Sequence, residues 1–169
     1  MTRLASEFVV AGMLVGAIVL GGAAPPANAS GTDVCSLLTR PEASKILGAK
    51  VVATSRKSQA SNGAQECTYK TKKFTDKRFK QLKAPLELGL TWQPMSATLR
   101  SNIDSNRSKL NPIAGLGDEA YVINDFDVFA IQGQNVVQSK IYNWDTGVGT
   151  LESKNEQAVR TAVPRLPTG

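Results

Sequence analysis

The chain has 169 residues, 41% of them hydrophobic and 20% charged, with a formal net charge of +6 and no histidine. This composition excludes a disordered chain. The missing imidazole excludes Ser-His-Asp and Cys-His catalysis and, with two cysteines, the usual zinc ligand sets.

Residues 1–29 read as a secretory signal. Arg3 supplies the positive start, Phe8 to Ala24 is an almost uninterrupted apolar run, and Pro25-Pro26 breaks it. Ala27-Asn28-Ala29 has the small-x-small pattern of a cleavage site, so the mature chain is expected to begin at Ser30. A single domain over 30–169, secreted or at the cell envelope, follows from that reading. The rival is an uncleaved N-terminal anchor, because about 17 apolar residues is the short limit for a span. Lipid attachment at Cys35 is not expected, as Cys35 does not directly follow the apolar run.

Cys35 and Cys67 are the whole cysteine inventory. In an oxidising compartment an even count predicts a disulfide. It would close a loop of about 32 residues, worth roughly 3–4 kcal/mol in the chain-entropy model.

Taken in order, the domain opens with Leu37-Leu38 and then Thr39-Arg40-Pro41-Glu42, which has the spacing of a capping box. Ala43, Ile46 and Leu47 share one face of the helix this starts, and Gly48 stops it. Val51 to Thr54 reads as a strand, and Ser55 to Gly63 as a polar loop. Alternation then puts Cys67, Tyr69 and Thr71 inward, with Thr68, Lys70 and Lys72 outward. Phe74 to Pro85 reads either as one or two helical turns or as a long hairpin loop. Leu86 to Trp92 alternates as a half-buried strand. Ser96 to Asn106 reads as a helix that buries Leu99 and Ile103.

Gly115 and Gly117 predict a tight turn feeding a strand through Tyr121, Val122 and Ile123. Val128 to Gln132 and Asn135 to Tyr142 form a hairpin whose Gly133-Gln134 loop suits a type II′ turn. Glu156 to Leu166 reads as the closing helix. The predicted fold is therefore α+β: a mainly antiparallel sheet of about six strands, two or three helices on one face, and one disulfide. Each half also reads loosely as three strands followed by a helix.

Three segments in order carry a family resemblance: Cys35-Ser36-Leu37-Leu38-Thr39 leading to Glu42-Ala43 and Leu47-Gly48, then Glu66-Cys67-Thr68-Tyr69, then Gly115-Leu116-Gly117-Asp118-Glu119-Ala120-Tyr121. Together they resemble the small secreted and lipoprotein α+β domains of actinobacteria. The resemblance implies an exported, disulfide-bonded domain in a family with no assigned biochemical role. The opening helix also resembles, more distantly, that of mycobacterial kinase sensor domains, which would imply extracellular ligand sensing.

No catalytic constellation stands out. Asp118 with Glu119, and Asp125 with Asp127, are the paired carboxylates: the glycine turn accounts for the first pair, and the second brackets a hairpin with too few oxygen ligands for a calcium site. A Ser-Lys dyad has no residue that singles it out. The chain reads as a non-enzyme with no cofactor and no metal.

The strongest functional signal is charge. After residue 29 the net charge is +6, and segment 68–83 carries all of it; the remainder balances at twelve against twelve. Lys70, Lys72, Lys73, Lys77, Arg78, Lys80 and Lys83 are candidates for binding an anionic surface, with Phe74 and Phe79 as interfacial aromatics. Anionic lipid or a cell-wall polymer is the expected partner of a monomeric chain. Export disfavours nucleic acid, and the plain alternative is a solvated lysine-rich loop. A second functional reading is a ligand sensor holding a small apolar molecule between sheet and helices, with Trp92, Tyr121 and Trp144 as candidate walls.

Overall fold

The computed structural model of the chain describes residues 32–59, 61–73, 85–124, 126–142 and 148–167. The signal segment 1–29, the stretch 74–84, Asp125 and Trp144 lie outside the described residues.

The disulfide joins Cys35, in a 3-10 turn over Val34–Ser36, to Cys67, with Cα atoms 5.2 Å apart. Its partner strand is β2 (Gln65–Lys73). Two residues beyond Cys67 the Tyr69 ring is buried. Its hydroxyl donates to the Leu38 carbonyl and lies 3.3 Å from that of Cys35. Burial, then the charges of Asp33 and Glu42, pushes this phenol up. The opening turn is thus held to the sheet by one covalent and one polar link.

Helix α1 (Arg40–Leu47) starts where the capping residues predict. The Glu42 carboxylate reaches back to accept from the Thr39 N–H at 2.8 Å and its hydroxyl at 2.7 Å. Pro41 occupies the first turn, where its missing N–H costs no helical bond. Gly48 ends the helix at φ 71. The Lys154 ammonium covers the freed carbonyl of Ile46.

Strand β1 (Val51–Ser58) runs four residues further than its apolar alternation predicts. Ser55 to Ser58 belong to it because they pair with Thr68 to Gln65 across the ladder. As the outermost strand it needs few apolar side chains, so its sequence reads as loop. Strand β3 (Pro85–Pro94) turns Leu88, Leu90 and Trp92 inward, as expected.

Helix α2 (Ala97–Asn106) begins at Ser96, whose hydroxyl accepts from the Leu99 N–H at 3.1 Å. Then come β4 (Asn111–Pro112), β5 (Glu119–Ile123), β6 (Asp127–Gln132) and β7 (Asn135–Tyr142). Between β6 and β7 the positive φ falls on Gly133, the first position of the two-residue loop, as a type II′ turn requires.

The closing helix α3 (Val148–Ala162) starts eight residues before the expected Glu156. Its inner stripe is Leu151, Asn155, Ala158, Val159 and Ala162. Asn155 hides the period, being a polar residue at a core position. It accepts from Ser139 Oγ at 2.8 Å and donates to the Phe126 carbonyl at 2.8 Å. The helix gives way at Pro164 to a 3-10 turn over Val163–Arg165.

All ladders are antiparallel, in the order β1-β2-β3-β7-β6-β5-β4. The fold is the expected α+β sheet, with seven strands. Helices α1 and α3 share one face over the main core, which joins Leu37, Leu88, Leu90, Val128, Leu151 and Val159. The third helix, α2, lies on the opposite face with Tyr121, Phe129, Ile131 and Val136. The two halves match in strand order about the β3–β7 pair. Their helices break the match, since α2 and α3 follow corresponding strands onto opposite faces.

Candidate functional site

Helix α2 covers only part of its face of the sheet. Beneath it is a cavity of about 220 Å³ with apolar walls from Leu99, Ile103, Leu110, Ile123, Phe129 and Val136. Sheet pleating explains the strand contributions. Ile123, Phe129 and Val136 are the residues of β5, β6 and β7 that alternate away from the main core. Leu99 and Ile103 reach down from α2 at i,i+4 spacing.

Gln93, Asn102, Asn106 and Gln138 complete the lining. Asn106 bonds back to the Asn102 carbonyl at 2.8 Å. The side chains of Gln93, Asn102 and Gln138 have no hydrogen-bond partner among the described residues. The lining therefore offers neutral amide donors and acceptors and no formal charge.

A polar cluster beside the cavity fastens α2 to β5. The Glu119 carboxylate accepts from Arg100 at 2.8 Å, Arg107 at 2.8 Å and the Tyr121 hydroxyl at 2.9 Å. Arg107 also donates to Asp104 at 2.8 Å and to the Tyr121 hydroxyl. The Arg100 hydrogen bond, followed by those of Tyr121 and Arg107, holds the Glu119 carboxyl down at about 2. The helix is thus attached through ionic contacts at its second turn and its end, while its middle spans the cavity.

The expected aromatic walls fare differently. Trp92 points into the main core, where its indole N–H donates to Asn135 at 2.9 Å. It is no wall of the cavity, because its place in β3 aligns it with Leu88 and Leu90. Tyr121 is on the α2 face, its ring 5.3 Å from that of Phe129, but Phe129 forms the wall. The period of β6 gave a signal for Phe129. The identity of its outer cover did not follow from that period.

The basic segment is described in part. Lys77, Arg78, Lys80, Lys83, Phe74 and Phe79 lie outside the described residues. Lys73 contributes backbone to β2. Lys72 is exposed at the end of the strand. Lys70 pairs with Glu87 on β3 at 2.5 Å, so its charge is compensated locally.

Of the carboxylate pairs, Asp118 accepts from the Gly133 N–H at 2.7 Å and from Gln132 at 3.1 Å, while Glu119 belongs to the arginine cluster. Asp127 is buried with the Lys140 ammonium 3.3 Å away. Burial raises its pKa, and Lys140 opposes the rise. No cluster among the described residues has the donors to hold a metal ion.

Compared with known families, curated proteins and solved structures, the chain matches no family model, no curated protein and no solved structure.

Proposed function

We propose that the chain is a non-catalytic, exported binding domain that holds a small, neutral, largely apolar molecule beneath α2. The observation that carries the reading is the 220 Å³ cavity with six apolar walls and uncharged amides at its margin. Its size lies between a cavity of about 150 Å³ that accepts benzene and the roughly 300 Å³ at which drug-sized sites begin. A single substituted ring or a short acyl chain fits that range. An ionised headgroup inside the cavity would find no counter-charge and would lose its hydration.

A second reading is favoured by the charge of segment 68–83, which includes the exposed Lys72. Attraction of the domain to an anionic envelope surface would be compatible with ligand holding, because the two use different parts of the chain.

Titration with the neutral fluorophore N-phenyl-1-naphthylamine tests the cavity. Wild type is expected to enhance its emission saturably, with 1-octanol displacing it. Leu99→Trp fills the space from a half-buried position and is expected to weaken binding at least tenfold. Equal enhancement by Leu99→Trp and wild type would sink the reading.

A further inference from the structure

The face that α2 covers over β5, β6 and β7 continues over β1, β2 and β3. Among the described residues no helix crosses this half. Two adjoining troughs lie on it, of about 400 and 370 Å³, sharing Lys57 and Glu66 in their linings. The first reaches from the β1–β2 hairpin to Thr91. The second continues past Thr68 and Glu87 to Tyr142. Lys57 and Glu66 stand where the two troughs meet, and together the troughs form a groove that crosses the strands.

Gly89 lies beneath two of the lining side chains, Glu66 and Tyr142. A Cβ there would stand 2.9 Å from Glu66 Oε1 and 3.1 Å from Tyr142 Cε2. The absent side chain is what lets a carboxylate from one side and an aromatic ring from the other converge above β3. Tyr142 is 39% exposed and, with Val52, stands out among the described residues as a large apolar side chain open to solvent. Its hydroxyl has no hydrogen-bond partner among the described residues. Among the described residues the Glu66 carboxylate has one long contact, the Thr68 hydroxyl at 3.4 Å. A ring with the Lys140 ammonium 5.5 Å from its centroid, a phenol and a carboxylate with spare acceptor capacity thus meet in one groove.

Charge narrows the class of occupant. Lys70 lies 2.5 Å from Glu87 and Lys140 3.3 Å from Asp127, while Lys57 stands opposite Glu66 in the ladder. Among the described residues, acidic and basic side chains are interspersed in and around the groove, which favours neither a polyanion nor a polycation. A hydroxyl-rich neutral ligand suits it. The C–H face of a sugar ring packs on an exposed tyrosine, and its hydroxyls donate to carboxylates in charge-assisted bonds.

We propose that this groove, from the β1–β2 hairpin to Tyr142, binds a neutral polysaccharide chain, with Tyr142 as the stacking platform and Glu66 as the principal acceptor. Its length, two troughs end to end, favours several sugar units over one. The site is separate from the cavity under α2 and does not depend on it.

Affinity electrophoresis of the full chain through gels containing dextran, mannan, galactan or a soluble β-glucan tests this, with heparin as the anionic control. At least one neutral polymer is expected to retard wild type. Tyr142→Ala should weaken that retardation at least tenfold with the thermal midpoint retained. Gly89→Ala, which pushes the carboxylate and the ring apart, should do the same. Leu99→Trp should be retarded like wild type, which separates this groove from the cavity. Retardation by none of the neutral polymers, equal retardation of Tyr142→Ala, or retardation by heparin alone would overturn the proposal.

Discussion

Arg165, near the end of the described chain, grips Glu42 in the first turn of α1 at two points. Nη2 lies 2.6 Å from Oε1 and Nη1 2.8 Å from Oε2. The same guanidinium donates to the Leu37 carbonyl at 3.1 Å. One side chain therefore closes the domain over its own opening. The Arg165 hydrogen bond, then the Thr39 N–H, holds the Glu42 carboxyl at about 2.

Acid should release this clasp. The folded-state pKa of Glu42 is below its ordinary value of 4.5, so its contribution is fully present above that value and fades as pH falls toward 2. Glu42→Gln is expected to cost on the order of 1 kcal/mol at neutral pH, the scale of a lost cap. It should also flatten the decline of thermal midpoint between pH 4.5 and 2. Melting curves across that window decide it. An acid limb as steep as that of wild type would contradict the role given to Glu42.

Glu119 should govern the mobility of α2 without affecting the rest. Its carboxylate is the common acceptor for Arg100 and Arg107, and the cavity removes much of the apolar contact beneath the helix. In Glu119→Gln the amides of α2 are expected to exchange with deuterium at least tenfold faster, while those of α3 keep wild-type protection. High salt should shift wild type in the same direction, since the contacts are partly exposed. Uniform acceleration across the molecule would mean that Glu119 supports the whole fold instead.

Gly115 and Gly117 should differ sharply despite similar backbones. Their φ values are 66° and 64°. A Cβ at Gly115 meets nothing within 4 Å, whereas at Gly117 it would stand 2.5 Å from the Ile131 carbonyl oxygen. Gly115→Ala should therefore cost only the left-handed penalty of roughly 1 kcal/mol. Gly117→Ala must also displace β6, and at least twice that loss is expected in urea denaturation. Equal losses would show that the turn yields without moving the strand.

Much of the architecture was legible because local chemistry and long-range packing agreed. Cys35 and Cys67 pair as their even count predicts, and the bridge orients Tyr69 inward. Thr39, Glu42 and Gly48 bound α1, and Gly133 marks the last hairpin. Where packing alone decided, the sequence was mute. Ser55 to Ser58 look like loop because a strand with one neighbour needs no alternating apolar side chains. Asn155 masks the first half of α3 because a buried amide can be satisfied by Ser139 and the Phe126 carbonyl. The pocket was half legible. Leu99 and Ile103 announce an apolar stripe on α2, but nothing in their spacing tells which side of the sheet it covers. The cross-strand groove was not legible, since it depends on Gly89 lying between residues 66 and 142.

The two margins of the sheet carry a consequence for solution behaviour. On one side the last ladder is Asn111–Pro112, two residues long and ending in an imino acid that cannot donate. On the other, β1 places Arg56 and Lys57 along its open backbone and has an irregular register at its start. Neither rim offers a flat, uncharged template to a second molecule. Fibrous growth by strand addition is disfavoured at both ends, so the domain is expected to stay dispersed at concentrations where a flat-edged sheet would aggregate.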